Sequence, residues 1–506
     1  MKKHISAFSL LLISLSSMIG SGWLFGSLYS AQLAGPAAVL AWPLAAFLLM
    51  FVALSYAEVA TMFPHADNLA ALPLQTHGRL TSVMLSGLAW LSLATIPVIE
   101  TQGLVQYASN YLPGLMTKIG VVSVSTPLGF MFALVILLSF VIFNYFGVRL
   151  FARINSGFTI WKLIVPALTV IVIFQVSYHP KNLELYGGFM PYGWQGVMAA
   201  MSSGGALFSL LGFRQVVVMM GAIKEPGKYV PLILIGSLIL TAVLYAGLQW
   251  SFIGSMREQD LIGGWSHLSF KGDAGPFAAL AGFAGLIWLS LLLYTDAFVS
   301  PFATGLVFST TAGHLLASMG KVENAPLVLA KKNKHQAPWV SLSVNFLLAT
   351  VMFFVLENWQ AMAAFIVAVQ IISYSVGLIC LVALRKQLPD YNRPFRLRCG
   401  RFIAFLGFYV CTAGAYWCGW SSVLKLMLLS ALGLTFYLFY QGIFKQFKQA
   451  LHFKNALWLV AYIVGVGVFS YFGNYGGSHQ IPVYWDLLYL VGFSAVVFMM
   501  AEYSRL

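Results

Sequence analysis

Charged residues and cysteines are scarce in this chain of 506 residues. Only 8% of the residues are Asp, Glu, Lys or Arg, whereas 60% are hydrophobic and the mean hydropathy is +0.85. A soluble domain needs far more charge at its surface, so this composition excludes a soluble globular protein. Three of the four cysteines fall in apolar runs and the fourth, Cys399, lies in a basic segment. Their spacing indicates neither a disulfide framework nor a metal site.

Sequence motifs of enzymes and nucleotide-driven machines are also lacking. The chain contains no phosphate-binding loop, no HExxH and no GxSxG pattern. No paired constellation supports an intramembrane acyl or glycosyl transferase. We therefore expect no enzymatic activity, no cofactor and no bound metal, and we expect any energy for transport to come from a gradient.

Long apolar runs are what the sequence has in abundance. Crossing about 30 Å of hydrocarbon takes about 20 residues of helix, and about 14 runs are long enough. The pattern predicts an all-α polytopic membrane protein with about 14 transmembrane helices. The predicted spans cover residues 6–32, 37–63, 80–111, 127–146, 153–176, 196–220, 230–254, 276–309, 338–356, 360–384, 402–421, 423–444, 455–473 and 483–503.

The basic residues alternate between the loops that connect these runs. With the N-terminus inside, 21 of the 28 Lys and Arg residues lie on the cytoplasmic side, 5 lie on the opposite side and 2 lie within spans. This distribution predicts that both termini are cytoplasmic. Because topology and anionic membrane lipid account for the net charge of +14, no nucleic-acid partner is expected.

Two of the predicted spans are interrupted by small residues. The first span carries Ser17-Met18-Ile19-Gly20-Ser21-Gly22-Trp23 in its middle, and the sixth carries Ser202–Arg214 with glycines at mid-depth. Freed backbone groups survive in lipid only where protein or a polar cavity satisfies them. Breaks in spans one and six predict two inverted five-helix halves around a central site. The alternative is that these glycines serve only close helix packing.

Short motifs along residues 5 to 400 resemble those of the amino acid/polyamine/organocation (APC) permeases. In chain order the motifs are Ile19-Gly20-Ser21-Gly22, Tyr56-Ala57-Glu58, Met62-Phe63-Pro64, Lys162, Gly212-Phe213-Arg214, Lys224 with Pro226 and Pro231, Leu384-Arg385-Lys386 with Pro389, and Arg393-Pro394-Phe395. A narrower likeness is to the bacterial aspartate:proton symporter branch. It is carried by Ile99-Glu100, Gln106-Tyr107-Ala108-Ser109, Gly212-Phe213-Arg214-Gln215, Asp296-Ala297, Ser300-Pro301 and Thr304-Gly305.

Three positions of the cytoplasmic gate depart from the pattern of this family. Ala71 stands in the segment that replaces the usual Gly-Gly and arginine, Ala222 replaces an acidic residue, and His314 replaces an arginine. The resemblance therefore leaves gating open in this chain.

The resemblance implies a substrate site at the two breaks. The α-carboxylate of an amino acid would bind the backbone amides and hydroxyl of Ser21 and Gly22, and its ammonium would meet freed carbonyls of Ile19, Phe208 and Leu211. The Phe208 ring is a candidate gate over the substrate. The expected substrate-binding residues are Ile19, Gly20, Ser21, Gly22, Trp23, Phe208, Ser209, Leu211 and Arg214.

Ionisable residues inside spans are functional candidates because they are costly in a bilayer. Glu100 and Asp296 are the candidates for proton coupling; for Asp296 the alternative is a cap near the outer face. Lys162 is expected where sodium-driven relatives hold a cation, or else it snorkels to the cytoplasmic surface. Arg214 is expected to bind a substrate's side-chain carboxylate, or else to pair with Glu100 or Asp296. For Glu58 a structural pairing role is the main expectation.

Together these features predict a secondary amino acid transporter in the bacterial inner (plasma) membrane. The expected mechanism is proton symport of an amino acid, with aspartate and glutamate as the candidate substrates; an amino acid exchanger and a non-transporting sensor are the alternatives. We expect a transport core at residues 1–386, a basic cytoplasmic linker at 387–401 and four peripheral helices at 402–506. The expected partners are the amino acid, protons and membrane lipid, and a second copy of the chain is a further candidate.

Overall fold

Helices make up almost all of the fold. The structure, a computed structural model, describes residues 6–63, 68–119, 122–146, 148–219, 223–444 and 451–506. In the first half the helices are α1 (Ala7–Met18), α2 (Ser21–Ala34), α3 (Ala38–Met62), α4 (Asn68–His77), α5 (Arg79–Ala108), α6 (Pro127–Tyr145), α7 (Val148–Ser177), α8 (Gly193–Ser202), α9 (Ala206–Leu210), α10 (Arg214–Met219) and α11 (Pro226–Gly254). They continue with α12 (Pro276–Phe283), α13 (Ile287–Lys321), α14 (Trp339–Val355), α15 (Trp359–Gln387), α16 (Gly400–Trp417), α17 (Trp420–Phe444), α18 (Phe453–Phe472) and α19 (Trp485–Tyr503).

The predicted all-α polytopic architecture is confirmed. Among the described residues, ten helices are long and apolar enough to cross a membrane, and α8 with the segment Ala206–Met219 adds an eleventh as a bent pair. The difference from about 14 predicted spans has three sources. Ser21–Met62 counts as one unit although it contains parts of the first two predicted spans, α14 has only 17 residues, and α16 is not among the ten.

Both predicted interruptions are observed as breaks in the helices. Between α1 and α2 the backbone of Ile19 is extended and Gly20 leaves the helical region. In the sixth span the axis bends by 46°, and Gly205 has a φ of +102°, a left-handed conformation that glycine adopts without strain. The two breaks lie side by side, because the Ser17 hydroxyl donates to Gly212 O at 3.1 Å and the Ser30 hydroxyl to Gly204 O at 3.2 Å.

Two features of the fold differ from the sequence-based prediction. An antiparallel hairpin of β1 (Met116–Ile119) and β2 (Val122–Ser125) follows α5 where only a loop was expected. The predicted eighth span at 276–309 is divided: α12 ends at Phe283, Gly285 has a φ of +73°, and α13 then continues to Lys321. Gly282 and Gly285 interrupt this span. The long helix α13 therefore begins and ends closer to the C-terminus than the predicted span does.

The helices differ in how deeply they are buried. All of the most apolar stretch of α15 is buried, compared with 22% of that of α17. The α15 helix therefore forms the centre of the packing, while α17 exposes apolar residues such as Leu432 and Phe436 on its outer face. An exposed apolar face is normal where lipid is the solvent.

Ion pairs connect residues on the same predicted side of the membrane. On the predicted cytoplasmic side Arg385 and Arg393 pair with Glu58, and Lys386 and Arg401 pair with Glu502. The last residue, Leu506, donates its amide to Thr76 O on that side at 2.8 Å. The Lys118–Asp273 and Arg257–Asp260 pairs lie on the predicted opposite side.

Candidate functional site

The break in the first span is occupied by a buried carboxylate from α5. Glu100, which is 1% exposed, accepts a hydrogen bond from the amide of Ser21 at 2.7 Å. A side chain at Gly20 would meet Glu100, since an added Cβ would lie 2.5 Å from Oε1. Glycine is therefore required here by the close approach of the carboxylate. The amide that was expected to bind a substrate's α-carboxylate is held by Glu100 in this conformation.

Lys162 of α7 reaches the same break from the other side. Its Nζ donates to Ser16 O at 2.7 Å and to the Thr304 hydroxyl at 2.6 Å, and Thr304 in turn donates to Ile19 O at 3.1 Å. Because Lys162 is fully buried, the alternative of a snorkelling lysine is wrong. The ammonium bridges α1, α7 and α13.

The carbonyl groups freed at the breaks are bound by hydroxyl groups. Tyr245 donates to Met18 O at 2.8 Å, and Tyr374 of α15 donates to Leu211 O at 2.7 Å. All three carbonyls that were expected to meet a substrate ammonium thus already accept a hydrogen bond: Ile19 O from Thr304, Leu211 O from Tyr374, and Phe208 O from the Leu211 amide. A carbonyl oxygen has two lone pairs, so each retains capacity for a further donor.

A small cavity lies between the two breaks. Its lining residues include Gly20, Gly22, Glu100, Phe208 and Ser209. The enclosed volume is about 10 Å³, which is room for about one water molecule. The conformation is therefore closed around the breaks, and an amino acid can enter only when the surrounding helices move apart.

Aromatic rings close the cavity toward α15. The indole of Trp359 donates to the Ser21 hydroxyl at 3.0 Å, and the Phe208 ring meets Trp359 edge-on with centroids 5.7 Å apart. Tyr29 stacks on the other side of Trp359 at 5.5 Å. The role of Phe208 as a gate stays a prediction, but its position at the cavity wall suits that role.

Arg214 begins α10 and is buried beside α15. Its Nη1 donates to the Ser373 hydroxyl at 3.1 Å, and its guanidinium lies 5.3 Å from the centroid of the Tyr374 ring. The residue is 3% exposed, and its Nη2 has no hydrogen-bond partner. In the described part of the chain no carboxylate pairs with Arg214, so the alternative of an ion pair with Glu100 or Asp296 is not observed.

Arg214 lines a second narrow space that adjoins the cavity at the breaks. The two spaces share Leu211, Gly212 and Phe308 in their walls. The amide oxygen of Gln370, which also lines the second space, is buried without a hydrogen-bond partner. The guanidinium and this amide are thus polar groups in the wall of a space that adjoins the cavity at the breaks.

Asp296 lies inside α13, away from both ends of that helix. It is fully buried as the tenth residue of α13, so the alternative of a cap near the outer face is wrong. Ser300 donates to its Oδ1 at 2.7 Å, whereas Oδ2 has no hydrogen bond. The indole N–H groups of Trp23 and Trp161 are near this carboxyl but form no hydrogen bond of ordinary geometry.

Not every predicted site residue reaches the cavity at the breaks. Gly20, Gly22, Phe208, Ser209, Leu211 and Glu100 line it, while Trp23 packs 5.7 Å from Phe277 and faces Asp296 instead. Glu58 accepts two hydrogen bonds from Arg385 and one from the Leu397 amide, which fits its expected structural pairing. Of the gate positions, Ala71 lies in α4 and His314 in α13; Ala222 lies outside the described residues.

Sequence reasoning missed several partners of the breaks. Tyr374, Gln370 and Ser373 place polar atoms beside Leu211 and Arg214, and Trp359 contacts Ser21. The sequence could have predicted three of these partners. Gln370, Ser373 and Tyr374 are polar residues at helical spacing within an otherwise apolar span, so they share one face of α15.

Comparison with known proteins decides the family. A family model described as amino acid permease matches residues 5–469. The chain belongs to the amino acid permease family. This permease is 34% identical over 509 residues to the glutamate/serine transporter AimA of Bacillus subtilis, covering 99% of this chain and 93% of that protein. It is also 30% identical over 511 residues to the aspartate-proton symporter of Bacillus subtilis, covering 100% and 97%.

A more distant relative is the branched-chain amino acid permease BcaP of Bacillus subtilis, with 25% identity over 87% of this permease and 93% of that protein. The predicted resemblance to the APC permeases and to the aspartate:proton symporter branch is confirmed. The protein is a secondary amino acid transporter and an integral membrane protein, as the sequence predicted.

Proposed function

We propose that this permease imports an acidic amino acid, aspartate or glutamate, together with protons. The names of two full-length relatives, a glutamate/serine transporter and an aspartate-proton symporter, each include an acidic amino acid. The observation that carries the proposal for this chain is the state of Arg214. It is a buried guanidinium with an unpartnered Nη2 and no carboxylate counter-ion among the described residues.

A buried charge without a counter-ion is costly, and a ligand that supplies the opposite charge relieves this cost. A carboxylate can bind a guanidinium through two parallel hydrogen bonds. The space beside Arg214 adjoins the cavity at the breaks through Leu211, Gly212 and Phe308. A substrate with one carboxylate at the first break and a second at Arg214 matches this arrangement of polar groups.

The amino acid backbone would bind at the breaks themselves. Its α-carboxylate would take the amides of Ser21 and Gly22, where the positive end of α2 points. Its ammonium would use the remaining lone pairs of Ile19, Phe208 and Leu211. Ser209 and Phe208, which line the cavity, would contact the substrate and close over it.

Glu100 offers a direct means of coupling protons to the substrate. Its carboxylate binds the Ser21 amide, which is the group that the α-carboxylate of the substrate requires. Protonation of Glu100 removes the charge that competes for this amide, so a proton and an amino acid would enter together. Lys162 would hold the break in place of a metal cation, and Asp296, with one unpaired oxygen, would be a second proton carrier.

We place the protein in the plasma membrane of a bacterium with both termini in the cytoplasm, because 21 of its 28 basic residues then lie inside. Residues 1–386 would form the transport core and 387–401 a basic linker. The four helices of 402–506 would lie at the periphery, where α17 exposes apolar side chains to lipid or to a second copy of the chain.

Purified protein in proteoliposomes tests the proposal. Labelled aspartate, glutamate, serine and leucine are offered with an inward proton gradient and again after an ionophore has collapsed it. We expect accumulation of aspartate or glutamate that disappears with the gradient. Flux that persists without the gradient and requires amino acid inside would show an exchanger instead. Binding without flux under both conditions would show a sensor.

The specificity half of the proposal is tested separately with Arg214→Ala and Arg214→Gln. Both variants should lose the uptake of acidic amino acids while retaining the fold, because among the described residues the arginine forms only one hydrogen bond. Unchanged uptake of aspartate and glutamate in both variants would show that Arg214 does not bind the substrate.

A further inference from the structure

A large apolar cavity lies away from the transport site, between the core and the peripheral helices. Its volume is about 460 Å³, and its walls come from α5, α13, α14, α17 and α18. Nearly all of the lining is hydrocarbon, including Leu88, Leu91, Leu316, Leu348, Phe436 and Ile463. A cavity of this size and character binds an apolar or amphipathic molecule rather than an amino acid.

The dimensions of the cavity match one leaflet of a bilayer. Along α5 it extends from Val83 to Leu91, a rise of about 12 Å at 1.5 Å per residue. This is close to half of the hydrocarbon thickness of about 30 Å. The outer wall is formed by α17, where Leu432 and Phe436 are exposed on the face that meets lipid, so a lipid chain can reach the cavity from the membrane.

Two buried polar groups mark one end of this cavity, whereas Trp90 and Ser430, toward the other end, donate their hydrogen bonds to Asn345 and to Leu426 O. Tyr437 and Asn324, both lining residues, are 4% and 3% exposed. Among the described residues, the Asn324 Oδ1 and the Tyr437 hydroxyl have no hydrogen bond of ordinary geometry, although the Arg79 and Gln441 side chains lie near that hydroxyl. Asn324 uses its Nδ2 to donate to Ser82 and Ser86 of α5. A buried polar atom without a partner is costly, and at the end of an apolar cavity it marks the place for a polar group of a ligand.

This polar end is also the basic end. The Arg79 guanidinium is near enough to Tyr437 to interact with it, and Lys321, the last residue of α13, follows the lining residue Met319 by one half-turn. One acidic side chain, Glu323, lies 3.9 Å from Arg79 and is largely exposed. Two basic groups at the cytoplasmic end of a span attract anionic headgroups.

We propose that this cavity binds one acyl chain of an anionic phospholipid from the inner leaflet. The chain lies along α5 between the core and α17. The Tyr437 hydroxyl donates to an ester carbonyl, Asn324 Oδ1 accepts from a headgroup hydroxyl, and Arg79 with Lys321 attracts the phosphate. Phosphatidylglycerol, which combines a negative charge with headgroup hydroxyls, is the probe that fits these groups.

Two glycines in the cavity wall allow a direct test. Nothing lies within 4 Å of a Cβ added at Gly87 of α5 or at Gly433 of α17. Gly87→Leu and Gly433→Leu therefore have room for a Cβ at the cavity wall and place a larger side chain there, and leucine favours the helix more than glycine does. Gly442→Leu is the matched control, because Gly442 lies on the same α17 helix with open space around it but outside the cavity.

The measurement is native mass spectrometry of the full chain with added dioleoyl phosphatidylglycerol or dioleoyl phosphatidylcholine. We expect the wild type and Gly442→Leu to retain one phosphatidylglycerol. Gly87→Leu and Gly433→Leu should bind it about tenfold more weakly, because each leucine displaces several methylene groups of the chain. Phosphatidylcholine should be lost from all four proteins.

Three results would overturn the proposal. One is retention of phosphatidylglycerol by both cavity-filling variants, and another is equal retention of the two lipids by the wild type. The third is a change in the number of chains per particle in Gly433→Leu without a change in bound lipid, which would show that a second copy covers this face.

Discussion

The breaks in spans one and six are satisfied by different chemistry. At the first break a carboxylate binds the Ser21 amide and an ammonium binds Ser16 O, in addition to the hydroxyls of Thr304 and Tyr245, so charged groups take part in holding the chain. At the sixth break neutral hydroxyls bind the freed carbonyl groups: Tyr374 donates to Leu211 O and Ser30 donates to Gly204 O. We therefore expect protonation of Glu100 to change the hydrogen bonds at the first break, whereas the hydroxyl contacts at the sixth break should not change across the physiological pH range.

The buried basic residues near the two breaks also differ in how far the protein binds their N–H groups. Lys162 donates to two oxygens of the protein, whereas Arg214 keeps one terminal nitrogen without a partner. Lys162 thus uses two of its three N–H donors to hold the closed conformation, while the Nη2 of Arg214, unpartnered among the described residues, can bind a ligand. In the proposed function, proton coupling therefore belongs to the first break, and recognition of the substrate's side chain belongs to the sixth.

Replacing Glu100 with glutamine should have the largest effect. Glutamine cannot release a proton, so accumulation against a gradient should fall to simple equilibration, while counterflow of labelled for unlabelled amino acid should continue. Uptake and counterflow are measured in the same proteoliposomes. The assignment of coupling to the first break would be wrong if Glu100→Gln still accumulated substrate as the wild type does.

Arg214→Ala should reduce kcat/KM for aspartate or glutamate by about 10- to 100-fold, which corresponds to losing a hydrogen bond to a charged group worth about 1.5–3 kcal/mol. The loss should be smaller for serine, which has no second carboxylate. Initial rates for the three amino acids check this. An equal loss for all three would mean that the arginine supports the structure rather than the specificity.

Gly22→Ala should reduce uptake by separating the two breaks. An added Cβ would lie 2.2 Å from the Ser209 hydroxyl oxygen, so the helices cannot close as observed. The double variant Gly22→Ala/Ser209→Ala should recover part of the rate because it removes this oxygen. Gly236→Ala on α11 is the control, since nothing lies within 4 Å of its Cβ. Failure of the second substitution to restore any uptake would exclude this steric explanation.

The smallest effects are expected from Trp359→Phe and Tyr374→Phe. Each removes a single hydrogen bond, from Trp359 to the Ser21 hydroxyl and from Tyr374 to Leu211 O respectively, and each should cost about 0.5–1.5 kcal/mol. Thermal unfolding in detergent measures the loss. Uptake should still depend on the proton gradient in both variants. A loss of this dependence in Tyr374→Phe would contradict the proposal that the sixth break takes no part in proton coupling.

The sequence predicts the positions of both breaks because their glycines interrupt apolar runs, and it predicts the family because motifs recur in order. The partners of the breaks depend on packing between distant helices: Glu100 reaches Ser21 across 79 residues, and Trp359 reaches it across 338. Sequence spacing does not reveal such contacts. The division of the eighth span could have been predicted, since Gly282 and Gly285 stand within it. The hairpin of β1 and β2 was harder to predict, because a short run of β-branched residues is its only indication in the sequence.

The measurement that tests the central claim most directly is proton entry driven by substrate alone. Proteoliposomes carry a trapped pH-sensitive dye and start with no pH difference, and the membrane potential is clamped with potassium and valinomycin. Addition of aspartate or glutamate should acidify the interior in the wild type and leave it unchanged in Glu100→Gln. Entry of labelled substrate into wild-type vesicles without any acidification would contradict the account.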